Sequence, residues 1–561
     1  MKKPHTLALL AVAAAFVTAG SVISKLSADD DQHSNHFKFQ PDSLVLSRSV
    51  YVGTAATVTI GETLPRGCAG GANGSSVVAV PLTAGGTTDV TVPCGIATDN
   101  GEFPNLSNSH NVWNNANSDG SFGVSSPIFL DNLTTDGRVL GTLPIPNHQI
   151  VTSFSSKSEL ALNRSIDGKS ITFMGYQGGP GCGGFPVSPT APNLVDVSAS
   201  NTPGVCDPTN SVISSYVSTP IVPTAYYRAV AEVDGDGHLS ITDGNAYSGD
   251  NGRAAIRGGN GLYYMVGNGN SGNLSKKQLP ITFIGIELIN STGSELLEPG
   301  QAPPLPPNIG MIGRLLFGTD KPGKDTNFRG MTIFNNTLYI TKGSGGNGIN
   351  TVYQVGSAGT LPTGTAAELA AVPITILPGF PNTPASTGTA FPFGIWFANA
   401  NTLYVCDEGD GVLVTPPVNG NVADAQTLAT AGVQKWGLVN GTWTLLYVLQ
   451  DGLDIGVPYS VANYPAALDP ATGGCRNMTG RHNHDGTVTL YAITSTVSSN
   501  GDQGADPNKL VKVTDLEGAT TLPVSVWDKE RDDRLGHFVT IRSAKAGEVF
   551  RGVAFAPEES H

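Results

Sequence analysis

Three arginines, Arg253, Arg329 and Arg551, stand beside Gly252, Gly330 and Gly552 at the start of small, apolar segments. A guanidinium is a rigid fork of donors that fits carboxylate or phosphate bidentately. If these segments line one cavity, the three arginines are expected to converge there and hold a small anion. The competing reading is that each pairs with a carboxylate from a neighbouring loop, tying one structural unit to the next. A second set, Asp407, Glu408 and Asp410, offers hard oxygen ligands of the kind Ca²⁺ takes; a solvated turn is the alternative. The third is Arg481-His-Asn-His-Asp485. There His482 and His484, two residues apart, would share one side of a strand and suit Zn²⁺ or a related metal, or else mark a polar turn.

Other patterns read as structure. Asp234-Gly-Asp-Gly237 resembles the opening of a Ca²⁺ loop, but Leu239 occupies the position that needs glycine, so it is read as a hairpin turn. Gly178 to Gly184 is glycine-rich without a following Lys-Ser/Thr, and no Gly-x-Ser-x-Gly elbow occurs. No catalytic residue is assigned, and whether the chain is an enzyme stays open.

The elements that would position these residues are strands. From Leu44 to Pro557, apolar runs of period two are joined by turns such as Asp136-Gly137, Asn440-Gly441 and Glu517-Gly518, the strongest short-range hairpin signal. Two hairpin types alternate. One type lies between exposed-looking strands. The other runs from a small apolar strand into an apolar-aromatic one, as in Phe328-Arg-Gly-Met331 to Leu338-Tyr-Ile340. Each pair of hairpins makes four antiparallel strands, the unit of a propeller blade. The spacing predicts an all-β, seven-bladed β-propeller whose N- and C-terminal strands share one blade, which removes the terminal sheet edges. Two stacked β-sandwiches are the alternative architecture.

Leu403-Tyr-Val-Cys-Asp-Glu408 and Phe550-Arg-Gly-Val-Ala-Phe555 resemble the blade phrases of secreted propellers of the NHL-repeat and gluconolactonase-like groups. The resemblance covers most of the chain as blade grammar and implies the fold. The metal carboxylates and Asn of the gluconolactonase-like enzymes have no residue-by-residue counterpart here. Activity therefore stays open, because one fold hosts many functions.

Composition bounds the rest. Charged residues are 14% of the 561, Gly numbers 70 and Pro 38. Such a chain is neither charge-rich and disordered nor a coiled coil. With a net charge of −14 and no basic run, nucleic acid is not an expected partner. Lys2 and Lys3 precede an apolar run from Leu7 to Val17, with small-residue exits at Val17-Thr18-Ala19 and Leu26-Ser27-Ala28. The run is too short to span a bilayer and reads as an export signal, an uncleaved anchor being the alternative. We expect residues 1–28 to be a signal peptide, 29–43 a flexible lead and 44–557 a single propeller domain, secreted or periplasmic, with no membrane span after signal removal. Six cysteines behind a signal favour disulfides. Of the fifteen pairings, proximity favours Cys68 with Cys94 and Cys182 with Cys206, leaving Cys406 with Cys475; free, buried cysteines are the alternative.

Two functions follow. One is a secreted binding or scaffold module for an extracellular glycan, surface polymer or protein. The other is an extracytoplasmic lactonase-like hydrolase with its site at the channel mouth. A divalent metal such as Ca²⁺ is the expected cofactor if there is one.

Overall fold

Apolar alternation places both faces of each strand in a core. In Leu262–Gly267, Tyr264 and Val266 pack into one hydrophobic cluster while Tyr263 and Met265 pack into another. Leu403 and Val405 face one cluster, and Tyr404 and Cys406 the next. Successive side chains of a strand point to opposite faces, so such a strand must sit in a sheet sandwiched between two others.

The computed structural model describes residues 37–50, 125–177 and 228–558, apart from internal stretches such as 268–284, 291–307 and 412–428, and in addition the backbone of strands between 63 and 115. The strands form six blades, each built on four strands; Ile150–Ser153 and Ser125–Ser126 extend the sheet of blade II, and Arg314–Leu315 that of blade IV. From the centre outward, blade I joins Glu548–Phe555, Leu44–Val50, Ile128–Leu133 and Val139–Pro144. Blade II runs Asn163–Arg164, Ser170–Gln177, Arg228–Asp234, Leu239–Gly244. Blade III runs Gly252–Arg257, Leu262–Gly267, Ile286–Asn290, Asn308–Ile312. Blade IV runs Phe328–Phe334, Thr337–Lys342, Thr351–Val355, Pro373–Ile376. Blade V runs Pro392–Asn399, Thr402–Asp407, Gly432–Val439, Thr442–Leu449. Blade VI runs Ala471–His482, Thr487–Val497, Lys509–Leu516, Val539–Ser543. A hydrophobic cluster fills each of the interfaces between neighbouring blades, from I–II round to VI–I.

The expected count of seven blades is corrected to six. Leu44–Val50 pairs with Ile128–Leu133 on one side and with Glu548–Phe555 on the other. Two segments counted as separate outer hairpins, one from Leu44 and one from Pro127, therefore belong to one blade. The shared closing blade itself is present, with Leu44 opposite Phe555.

Cys406 and Cys475 form a disulfide that joins blade V to blade VI. Cys68, Cys94, Cys182 and Cys206, like the signal segment, lie outside the described residues. Within the stretch assigned to a lead, Phe39 is buried in the cluster between blades I and II, and its N–H donates to Gly235 O at 3.0 Å. No helix among the described residues is long and apolar enough to cross a membrane.

Candidate functional site

Each inner strand lines the axis of the ring, and five of them carry the same irregularity near their start. In blade IV, Phe328 pairs with Lys342 and Met331 with Ile340, so Arg329 and Gly330 together face Thr341. Blade V does this with Phe393 and Gly394, and blade VI with Arg476 and Asn477. Blade III bulges at Arg253 and blade I at Arg551. A bulge of two residues against one bends the strand and re-aims a side chain. The recurring phrase is thus a bulge: a residue in ladder, then arginine or an apolar residue, then a small residue, then an apolar one.

The small residue is required by the next blade. A Cβ on Gly330 would lie 2.0 Å from Phe393 O, and one on Gly552 would lie 2.4 Å from Leu160 O. Thr341 Oγ1 donates to Phe393 O at 2.6 Å, and Ser47 Oγ donates to Leu160 O at 2.6 Å. Inner strands therefore abut backbone to backbone, and the channel at this level narrows to a cavity of about 10 Å³. Ala254, Gly330, Gly394 and Asn477, from the bulges, are in its lining, together with Ala161 ahead of the inner strand of blade II.

The three predicted arginines all sit in this layer, each with bonds of its own. Arg253, 3% exposed, donates to Asn327 Oδ1 and to Phe328 O at the head of blade IV. Arg329 donates from Nε to Gly343 O at 2.6 Å, and its guanidinium lies 5.8 Å over the Phe393 ring of blade V. Arg551 donates to Phe154 O and, at 3.4 Å, to Ser49 Oγ. These bonds run across and within blades, to backbone carbonyls and to Asn327 and Ser49. Arg476 holds the same position in blade VI and was not singled out, because Asn477 replaces the usual glycine. Its Nε donates to Glu408 of blade V at 3.0 Å.

The acidic run separates. Asp407 is fully buried and accepts from the N–H groups of Phe391 and Gly409 and from Gln434 Nε2. Burial pushes its carboxyl up to about 7, against hydrogen bonds from Gly409 and Phe391 that pull the other way. Glu408 turns to Arg476 instead. His482 ends its strand with Nδ1 3.1 Å from the Glu517 carboxylate, and its ring lies against Trp396 at 5.7 Å. His484 is in the following turn, beyond the strand that was expected to align the two. Among the described residues, one group of three side chains brings its ligand atoms within 4.8 Å of one another: Asp234, Asp236 and His238. Asp234 there accepts from the backbone N–H of Asp236 and of His238, the geometry of the expected hairpin turn.

The space lies at the other end of the inner strands. A cavity of about 290 Å³ draws its walls from all six blades, among them Arg164, Ile256, Ile333, Trp396, Gly480 and Phe555. A neighbouring cavity of about 470 Å³ shares Arg164, Gly480 and Phe555 and adds Arg481 and Glu558. Phe334, Trp396 and Phe555 are half-buried here, with one side supported by the core: Phe334 stacks on Phe397 at 4.8 Å and Phe555 meets Tyr491 edge-on at 5.7 Å. Gly480 makes room for Trp396, whose ring carbons would come within 2.8 Å of an added Cβ. Asn163, Ser165, Thr332 and Thr479 supply hydrogen-bonding groups between the rings. This mouth was not read from the sequence. Its signal is a two- to five-residue offset from the bulged residue, which reaches a different side-chain type in each blade and so shows no repeat.

No family model matches the sequence, and no curated protein matches it, so the blade-phrase resemblance to NHL and gluconolactonase-like propellers has no family match beside it. Among solved structures the chain is similar to a candidate oxidoreductase (glucose dehydrogenase) from Thermus thermophilus, at 12% identity and a TM-score of 0.27, over 77% of this chain and 93% of that one. It is also similar to the hemagglutinin-neuraminidase ectodomain of parainfluenza virus 5, at 9% identity and a TM-score of 0.30, over 66% of this chain and 71% of that one. At these values neither similarity carries an argument about activity.

Proposed function

We propose that this chain is a binding propeller of the cell exterior that holds a carbohydrate at the channel mouth formed by the ends of its inner strands. The observation that carries the reading is the mouth itself. Half-buried aromatic faces at Phe334, Trp396 and Phe555 stand among the polar side chains Asn163, Ser165, Thr332 and Thr479, in one cavity walled by every blade. Sugar rings present C–H groups to an aromatic face and hydroxyls to donors and acceptors, so such a wall meets both. Pockets that orient a ligand are mostly apolar with a few placed polar groups. The six interlocked inner strands keep these groups in place before the ligand arrives, which lowers the ordering cost of binding. The disulfide Cys406–Cys475 supports an oxidising compartment.

The test is an array of neutral and acidic oligosaccharides probed with the purified protein and with Trp396→Ala. Binding to a subset of glycans that Trp396→Ala weakens about tenfold or more, the loss of a buried aromatic contact, is the expected result. Absence of glycan binding, or binding indifferent to Trp396, contradicts the reading.

A further inference from the structure

Two guanidiniums flank the larger cavity of the mouth. Arg164, on the inner strand of blade II, donates from Nε to Gly168 O at 3.2 Å and forms an ion pair with Glu558 at 2.9 Å. Arg481, near the end of the inner strand of blade VI, lies 5.8 Å over the Phe555 ring, and its buried Nε has no acceptor among the described residues. A buried donor left without an acceptor costs free energy that a bound acceptor would recover. Asp42 is the other carboxylate on the wall, and it stands exposed at the rim.

Glu558 follows the last inner strand. Its backbone N–H is fixed to Gly168 O at 2.9 Å, while its side chain is 70% exposed. The chain thus places one of its own carboxylates on Arg164 at the edge of the cavity, while the buried Nε of Arg481, a residue of the same wall, has no acceptor among the described residues. A guanidinium fork takes a carboxylate bidentately, and an exposed ion pair such as Arg164–Glu558 contributes little and exchanges readily.

We propose that Arg164 and Arg481 form a carboxylate subsite of the mouth, so that the carbohydrate held there is an acidic one, a uronate or other sugar acid, with Glu558 occupying Arg164 until the ligand carboxylate displaces it. This rests on the carbohydrate reading above and narrows it to a charge class. Phe555, beneath Arg481, would carry the sugar ring while the two arginines take the acid group. The net charge of −14 makes the subsite the more selective, because a free polyanion is otherwise repelled.

The experiment is calorimetric titration of the full chain with uronate and sialic-acid oligosaccharides, their methyl esters and neutral oligosaccharides. Acidic probes are expected to bind, and esterification, which leaves the protein untouched, to weaken them about tenfold or more, the loss of charged hydrogen bonds. Arg481→Ala and Arg164→Ala lower affinity for the acid by a similar factor and affinity for its ester by much less, so that the preference for acid over ester is lost. Glu558→Gln raises affinity for the acid about threefold, the scale of an exposed ion pair. Equal binding of acid and ester, or of neutral probes alone, overturns the carboxylate subsite and leaves the carbohydrate reading standing. Binding of no probe overturns both.

Discussion

Lys435 Nζ of blade V lies 3.0 Å from the Asp515 carboxylate of blade VI, and neither side chain is exposed. Tyr404 and Tyr447 donate their hydroxyls to the same carboxylate, and Lys435 also donates to Leu516 O at 2.6 Å. Burial lowers the ammonium pKa, and Asp515 beside it works in the opposite direction. A buried pair of this kind adds little over a well-packed apolar pair, but breaking it strands a charge. Asp515→Ala is expected to cost about 3–5 kcal/mol in chemical denaturation. Lys435→Met with Asp515→Leu should recover most of that loss. Equal losses in the single and double variants would show that the charges are not coupled.

Asp407, on the opposite face of the same strand from Tyr404, sets a pH dependence. An unfolded aspartate titrates near 4, and burial raises the folded carboxyl to about 7. Between those values the folded state holds a proton that the unfolded state has lost, so this group's stabilising contribution is complete below about pH 4 and is lost as pH rises through about 7. The effect is at most about 4 kcal/mol. Denaturation midpoints from pH 4 to 8 should fall with pH in the wild type and fall less in Asp407→Asn. Parallel profiles would contradict the assignment.

The disulfide closes a span of 69 residues between blades V and VI. In the chain-entropy picture such a loop stabilises by about 4 kcal/mol. Replacing both Cys406 and Cys475 by Ala is expected to lower unfolding free energy by roughly 2–4 kcal/mol and to leave glycan binding unchanged. Unaltered stability would argue against a bond that constrains the unfolded chain.

The fold class was legible because alternation leaves a direct trace. Tyr263 and Tyr264 are both buried, yet they serve two different interfaces, and only a strand between two sheets asks that of adjacent residues. Hairpin turns were legible where the chemistry is strict: Asn440 and Gly441 both have positive φ, 52° and 78°, as a two-residue hairpin loop of the primed type needs. The blade count was hidden because the second and third strands of blade I are separated by residues 51–127, and hydrophobic pattern alone does not tell a long insertion from another blade. The arginines were legible by their phrase, but the direction of each side chain was not. Spacing places Arg329 at the head of an inner strand, whereas the bulge that carries it, opposite Thr341, decides where it points. The mouth had no repeated signature, since Ile256, Thr332, Trp396, Thr479 and Ala554 each follow the bulged residue of their blade by three positions and share no chemistry.

The central claim is that ligand is held at the ends of the inner strands and not at their bulged starts. Hydrogen–deuterium exchange of the full chain, with and without a glycan selected from the array, tests it most directly. Protection gained on binding should fall on residues 162–166, 332–334, 395–397, 478–481 and 554–558, around the wall that Trp396 and Phe555 share. Protection confined to the outer strands, or to the layer of Arg253, Arg329 and Arg551, would contradict it.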